Sequence, residues 1–513
     1  MMDELLQAPT LWGLLERRAA LTPKALMLID GGRRLRLTFA QAMDIAERLA
    51  AGFLARGIGP GTVVTWQLPT GLPAFMTALA LARLGAVQNP VISLYGESEV
   101  RAVMARNRSA FLIVPGAAER DFPAMAARLQ DSLPIRPEVI VMAGELPQGK
   151  PSTLPPPPSE GDSVRWVYYT SGTTSEPKGA CHTDQTLMIG GRNLARAIGV
   201  TASDVGTVAF PCAHIGGAMY TTMLLASGMS AVLLERFQAA DAVAVFRDHS
   251  VTTTGGSTAH YEALLAEQRK QPGEAIIPTL RIISGGGAPK PAQLYFAIQH
   301  EMHCTLTHNY GMTEVPLIAA GASWHSDQQL AYSDGGPVED VEIRIVRSDG
   351  SEAPSGEPGE VRVRGKGVFK GYTEAALNDE AFDERGYFRT GDIGLLREDG
   401  HIALTGRLKD VIIRKGENIS AKEIEDLLYS HPKVGAVAVI GLPDPLRGER
   451  VCAVVEPREG QPALEFDEMV EFFKAAQVML QKIPEQLEIV DRLPRNETLN
   501  KVLKHVLRER FGV

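Results

Sequence analysis

The stretch Tyr168-Tyr169-Thr170-Ser171-Gly172-Thr173-Thr174-Ser175-Glu176-Pro177-Lys178-Gly179 decides how the rest of the chain is understood. It closes a short apolar run, Val164 to Tyr169, whose length and aromatic, β-branched content predict a buried strand. From Thr170 to Ser175 every residue carries a hydroxyl or no side chain, and after Pro177 comes a single cation, Lys178. A strand that empties into such a loop offers backbone N–H groups, hydroxyl donors and a fixed positive charge, the equipment for gripping a polyphosphate. Gly172 permits close backbone approach to phosphates, and Lys178 supplies a point charge. The spacing differs from the GxxxxGK[ST] of P-loop nucleotidases, so another fold must carry it. By composition alone, a plain Ser/Thr/Gly surface loop fits this stretch equally well. The remaining motifs break the tie.

The chain has 513 residues, 44% of them hydrophobic and 22% charged, with a formal net charge of −9. That length predicts about two to four domains. An acidic chain lacks the electrostatic footprint for nucleic acid or an anionic membrane, so an anionic ligand must be held by a local site. Cys181, Cys212, Cys304 and Cys452 are scattered, without a CxxC pair or metal spacing. Reduced thiols and a cytoplasmic location are expected. The acidic start, MMDELLQAP, has no signal-peptide core. The most apolar helical stretch, Leu72 to Val87, is too short to span a bilayer and carries Arg83, so no integral membrane segment is expected.

Thr38 to Gln41 predicts a capping box, followed by a helix burying Ala42, Ile45, Ala46, Leu49, Ala50 and Phe53. Val63 to Leu68 predicts a strand, Leu72 to Leu84 a helix, and this alternation argues for βαβ units and a mostly parallel sheet. Residues 151 to 161, with Pro155 to Pro158 in a row, predict a connector between subdomains of one large unit. Further short apolar runs end in turn residues: Val205 to Phe210, Ala231 to Leu234, Val251 to Thr253 and Leu280 to Ile283.

Several of these runs lead into residues with chemistry. His214 lies just past the first. Ser284-Gly285-Gly286-Gly287-Ala288-Pro289 follows the last, and its bare backbone would let a flat ring stack close. Tyr310-Gly311-Met312-Thr313-Glu314 places an aromatic face, a hydroxyl and a carboxylate together; magnesium favours such a carboxylate alongside phosphate oxygens. Tyr387-Phe388-Arg389-Thr390-Gly391-Asp392 ends in a carboxylate that could accept both hydroxyls of a ribose. Gly406-Arg407-Leu408-Lys409-Asp410 and Lys415-Gly416-Glu417-Asn418 follow, then a capping box at Ser420 to Glu423 heading a helix that buries Ile424, Leu427 and Leu428.

These motifs, in this order, resemble those of the acyl-adenylate-forming superfamily: acyl-CoA synthetases, luciferases and stand-alone adenylation domains. The family usually reads TSGTTGxPKG at the first loop, where Ser175 here replaces a glycine. The resemblance covers nearly the whole chain. It implies an α/β fold, with a large N-terminal domain of mostly parallel sheets and flanking helices (1–408) and a small mobile α+β C-terminal domain (409–513). It implies ATP, Mg²⁺ and coenzyme A as cofactors and co-substrates. Thr170, Ser171, Gly172, Thr173, Thr174 and Lys178 would hold phosphates. Gly286, Gly287, Ala288, Pro289, Tyr310 and Gly311 would line the adenine and acyl pocket. Thr313 would meet a phosphate, Glu314 the magnesium, Asp392 and Arg407 the ribose. His214 would stand beside the acyl group and the thiol path, Lys409 would be the hinge, and Gly416 would line the pantetheine tunnel.

The family ends with a catalytic lysine in a sequence like PRTxxGK. Here Pro494-Arg495-Asn496-Glu497-Thr498-Leu499-Asn500-Lys501 lacks the glycine and has one extra residue. Counting back from the K-x-x-K formed with Lys504 restores the register and makes Lys501 the expected catalytic lysine, with Lys504 as runner-up. Leu499, Val502, Leu503, Val506 and Leu507 predict the apolar face of a helix that starts near Lys501.

The expected activity is an AMP-forming acid–CoA ligase acting on a small-molecule carboxylic acid. The chain stops at Val513 without a carrier domain, which favours free coenzyme A. The small residues of Thr252 to His260 suggest room for a bulky apolar acyl group, and Trp66-Gln67-Leu68-Pro69-Thr70 with Asn89-Pro90 resembles ligases for cyclic and medium-chain acids. An enzyme loading a carrier protein, and a binding protein that no longer adenylates, remain open, as does a homodimer.

Overall fold

The computed structural model describes all residues except 1, 32–34, 117, 119, 145, 171–176, 415–416, 477, 497–501 and 513; at 2–3 and 417–418 it describes the backbone alone. Contacts divide the chain into two compact units: Met1–Glu342 with Arg364–Phe388, and Ile343–Val363 with Arg389–Val513. The expected boundary at 409 falls inside the second unit, because segments 343–363 and 389–408 group with the C-terminal residues.

The first unit is built on three sheets. The largest has the strand order Glu138–Met142, Phe111–Pro115, Val63–Trp66, Val87–Pro90, Val164–Thr170, Lys178–Thr183. Its first five strands run parallel and the last antiparallel. A four-stranded sheet orders Arg36–Thr38, Leu26–Asp30, Ser230–Leu233 and Val205–Val208, and a five-stranded one orders Thr253–Thr254, Ile282–Gly286, Thr305–Tyr310, Ala319–Ala320 and Gly336–Pro337. The mostly parallel α/β architecture is the one expected, since alternating βα segments return each strand in the same direction.

The local signals work as their chemistry requires. In Phe39–Leu54 the Gln41 N–H donates to Thr38 Oγ1 (3.3 Å) and the Thr38 N–H to Gln41 Oε1 (2.9 Å), closing the capping box. The helix buries Ala42, Ala46, Leu49, Ala50 and Phe53, while Ile45 is half-buried against the same core. Leu72–Leu84 is apolar on nearly all sides and buried accordingly; it stops at Gly85, whose φ of 69° suits a residue without Cβ. Trp12, Trp66 and Trp166 are almost wholly enclosed in this core.

The second unit has a four-stranded sheet, Val341–Val346, Gly359–Gly365, Phe388–Leu396 and Ile402–Arg407, and a five-stranded one. The latter orders Glu417–Ser420, Val411–Arg414, Gly448–Pro457 and Val434–Asp444, with Gln486–Ile489 added parallel to Gly448–Pro457. Together with the helices Ala421–Tyr429, Phe466–Ala475 and Lys504–Phe511, this is α+β.

Three expectations are corrected. The last helix begins at Lys504, not near residue 501, and Val502 instead forms an antiparallel bridge with Arg495. At Ser420 only half of the capping box forms: Ser420 Oγ accepts the Glu423 N–H (3.3 Å), but the Glu423 carboxylate takes Lys482 Nζ (2.5 Å). A full positive charge is a stronger partner for a carboxylate than a backbone N–H. Gly285 and Gly286 are strand rather than turn, paired with His308 and Asn309.

Candidate active site

Thr170 lies directly opposite Lys178 across the antiparallel pair Val164–Thr170 and Lys178–Thr183. The expected phosphate-binding residues Ser171, Gly172, Thr173 and Thr174 lie outside the described residues, as do Gly416 and Lys501. The described strands on either side of residues 171–176, Val164–Thr170 and Lys178–Thr183, are adjacent and antiparallel. Arg106 holds the return, donating from Nη1 to the Pro177 carbonyl (3.3 Å) and pairing with Glu374 (2.7 Å).

The returning strand takes on residues 370–373 along its other edge. Lys370 N–H donates to Cys181 O (2.8 Å), Cys181 N–H to Gly371 O (2.9 Å), and Thr373 N–H to Gly179 O (2.8 Å). Gly179 must lack a side chain here, since a Cβ would lie 2.8 Å from Thr373 Oγ1. The pairing carries Tyr372 to Lys178, whose Nζ stands 5.4 Å from the ring centre, within cation–π range. The Tyr372 hydroxyl donates to Glu314 Oε1 at 2.7 Å, and the Phe369 N–H to the Glu314 carbonyl at 2.8 Å. Burial first, then the charge of Glu314, push the Tyr372 phenol well above its ordinary range, so it remains a donor. One tyrosine thus joins the expected phosphate cation to the expected metal carboxylate.

Glu314 owes its place to a tight turn in which Met312 and Val315 exchange backbone hydrogen bonds of 2.9 and 3.2 Å. Gly311 precedes the turn; a Cβ there would strike the Pro316 carbonyl oxygen at 2.3 Å. Tyr310, at the end of Thr305–Tyr310, is buried. The turn is anchored by His182, which is fully buried. Its Nε2 lies 2.7 Å from the Thr313 carbonyl and its Nδ1 2.9 Å from Thr186 Oγ1. A carbonyl can only accept, so Nε2 carries the proton. Burial pushes the imidazolium down to about 4, outweighing the carbonyl bond that favours it.

His214 caps the helix Ile215–Ser227, its Nδ1 accepting the Gly216 N–H at 3.2 Å. Burial pushes it down to about 4 as well, so it is neutral near pH 7. His214 and Thr313 line one cavity of about 20 Å³ together with Tyr95, Tyr168 and Tyr169. Thr70 holds the histidine loop: Oγ1 donates to Phe210 O (2.7 Å) and accepts the Cys212 N–H (3.0 Å). Gln67 Nε2 holds the neighbouring loop through Ile92 O (3.1 Å) and Tyr95 O (2.9 Å). The Trp66–Thr70 stretch therefore works largely as a clamp.

The small residues of 252–260 are used up by backbone packing. A Cβ on Gly255 would meet Ser284 O at 2.3 Å, and one on Gly285 would meet Gly256 O at 2.0 Å. Gly286 packs the same way against Asn309 O (2.0 Å). Gly287, at φ +84°, has open space where a Cβ would be, so it alone of the three glycines keeps room for a ring. The Ala288 and Pro289 carbonyls accept from Thr258 Oγ1 at 3.3 and 2.9 Å.

In the second unit Asp392 and Arg407 are cross-strand partners, with Arg407 Nε 2.8 Å from Asp392 Oδ1. The Asp392 N–H donates to Thr390 Oγ1 (3.1 Å), which donates to Val361 O (2.7 Å). Lys409 lies in the single turn Leu408–Asp410; burial, then the charge of Arg407, lower its ammonium below the usual range. Lys504 pairs with Glu425 at 2.7 Å in a largely enclosed setting.

Sequence reasoning missed Tyr372, His182 and Arg106. Each lies outside the motifs and acts on them from another segment. The Lys370-Gly371-Tyr372 run, an aromatic beside a glycine, was the one available hint.

A mostly parallel α/β unit with a hydroxyl-rich hairpin, followed by a smaller α+β unit, defines the class of acyl-adenylate-forming enzymes. The AMP-binding enzyme family matches residues 15–373 and the AMP-binding enzyme C-terminal domain matches residues 423–499. The chain belongs to the AMP-binding enzyme family, and its enzyme class is that of AMP-forming acid–thiol ligases. It is 33% identical to a feruloyl-CoA synthase from Amycolatopsis sp, over 97% of this chain and 98% of that protein. It is 30% identical to the medium-chain fatty-acid–CoA ligase of Escherichia coli (strain K12), over 92% and 85%. Among solved structures it resembles the o-succinylbenzoate CoA synthetase of Bacillus subtilis in complex with its acyl-adenylate intermediate, with a TM-score of 0.83 and 27% identity over 97% and 98% of the two chains. Among the described residues, no helix is long and apolar enough to cross a membrane.

Proposed function

We propose that this chain is an ATP-dependent acid–CoA ligase that joins a carboxylate to ATP, releasing pyrophosphate, and then passes the acyl group from AMP to the thiol of coenzyme A. The observation that carries this is the convergence of Lys178 and Glu314 on Tyr372 beside the hydroxyl-rich hairpin. Two anions must meet in the first step. Lys178 would offset phosphate charge while the hairpin backbone and Thr170 fix the nucleotide, and Lys501 would offset charge on the carboxylate and α-phosphate. Asp392 would accept the ribose hydroxyls beside Arg407.

Among the described residues no cluster of three or more His, Cys, Asp or Glu could hold a metal. A lone carboxylate held by a tyrosine fits magnesium that arrives with the nucleotide, since that ion keeps phosphate and water ligands. When bound it would neutralise phosphate charge. Lys409, in its single turn, would be the hinge about which residues 409–513 move between the two steps.

The acid would be bulky and apolar, alicyclic or medium-to-long in chain. The support is the aromatic and aliphatic lining of the cavity beside His214, with Val91, Ile92, Val103, Ile215 and Tyr169, not the glycines of 252–260. A screen of carboxylate-dependent exchange of labelled pyrophosphate into ATP, over aromatic, alicyclic and fatty acids, tests both parts. No exchange with any acid, in protein that binds ATP, would sink the proposal. Lys501→Ala is expected to abolish exchange yet still convert supplied acyl-AMP to thioester; equal loss of both steps would remove Lys501 from its role.

A further inference from the structure

A second, mostly apolar cavity of about 20 Å³ shares Tyr168 with the one that contains His214 and Thr313. Trp66, Phe75, Ala78, Trp166, Cys212 and Ala218 border it. Tyr168 is the single residue common to both linings. His214, the N-cap of Ile215–Ser227, borders the first cavity, and Ala218, four residues on and about one helical turn away, borders the second.

We propose that Tyr168 sets acyl-chain length by walling off this rear cavity from the site cavity. The inference rests on the ligase activity proposed above and names the side chain that limits its acid. The occupant of the rear cavity, once opened, is the distal apolar end of the acyl group. The wall is stiff: Tyr168 stacks on Trp166 with ring centres 6.2 Å apart and planes 4° apart, and meets His182 edge-on at 6.3 Å. The lining beyond it is mostly apolar, suited to methylene groups rather than a charged tail.

The test measures kcat/KM for CoA-thioester formation over short, medium and long saturated straight-chain acids. It uses wild type, Tyr168→Ala, the milder Tyr168→Leu, Ala218→Leu, and Tyr168→Ala combined with Ala218→Leu, each checked for folding by thermal melting. Opening the wall is expected to raise the long-to-short ratio of kcat/KM by about tenfold or more, and adding Ala218→Leu to return it toward wild type. Ala218→Leu alone is expected to leave the wild-type profile unchanged, because substrate does not reach the rear cavity. An unchanged profile in folded Tyr168 variants overturns the inference. So does a shortened profile from Ala218→Leu alone, a readout that stands even if the Tyr168 variants fail to fold. Wild type inactive toward every acid overturns the ligase proposal instead.

Discussion

The Lys178–Tyr372–Glu314 cluster and the Asp392–Arg407 pair are assembled in opposite ways. In the first, Tyr372 reaches a carboxylate 58 residues away, and a strand edge brings Lys178 to the same ring. In the second, two strands of one antiparallel ladder set the partners face to face. A local pair follows from register and survives wherever the hairpin forms. A long-range cluster exists only when several backbone segments close together, so each contact in it has leverage over the others.

The sharpest way to break the comparison is Glu314→Ala. Removing the carboxylate on which the distant segments converge should lower pyrophosphate exchange about 10²–10³-fold. A loss under tenfold would mean the cluster is structural. Tyr372→Phe keeps the ring near Lys178 and deletes only the 2.7 Å bond to Glu314. A hydrogen bond to a charged group contributes about 1.5–3 kcal/mol, so exchange should fall roughly ten- to a hundredfold, with a raised magnesium requirement. Unaltered magnesium dependence would show that Glu314 is placed without it. Asp392→Asn, in the local pair, should act mainly on nucleotide binding, raising the KM for ATP by about tenfold. A fall in kcat at constant KM would contradict that division.

Acidity separates the two regions further. The buried imidazole of His182 titrates at about 4 when folded and at 6.5 when unfolded. The unfolded chain therefore binds more protons between these values. The stability tied to this group is complete above pH 6.5 and drains as pH falls toward 4, by about 3 kcal/mol at the end. Thermal melts at pH 7 and pH 4.5 should show a smaller acid loss for His182→Gln than for wild type; parallel losses would exclude the group. The smallest effect expected is that of Lys504→Ala. Breaking the partly enclosed pair with Glu425 should cost about 1 kcal/mol of stability in urea and leave exchange intact. Abolished exchange would move the catalytic role from Lys501 to Lys504.

Much of the fold was legible in the residues. The Thr38 capping box, the helix Leu72–Leu84 and the strand before the hairpin stand where periodicity placed them. Of the candidate site, Thr313, Glu314 and His214 were singled out by type and order, and the fold brings two of them, His214 and Thr313, to one cavity. Glycine was misjudged. Gly255, Gly285 and Gly286 looked like loop or pocket lining, yet backbones pass too close there for a Cβ. A missing side chain reads the same in sequence whether solvent, ligand or another strand fills its place. Ser420 shows the same limit, because a sequence signature for a capping box cannot register that Lys482 will claim Glu423.

By itself the sequence determined most of the strands and helices of the first unit, that a hydroxyl-rich stretch follows an aromatic strand, and that a carboxylate follows a Gly-containing turn. These depend on side-chain type at short spacing, where chain geometry is fixed. Only the tertiary structure decided that Tyr372 would tie Lys178 to Glu314, that His182 would hold Thr313, and that Tyr168 would line two cavities. Such contacts join segments whose meeting depends on the ordering of whole sheets, and no local pattern encodes which distant partner a buried face will find.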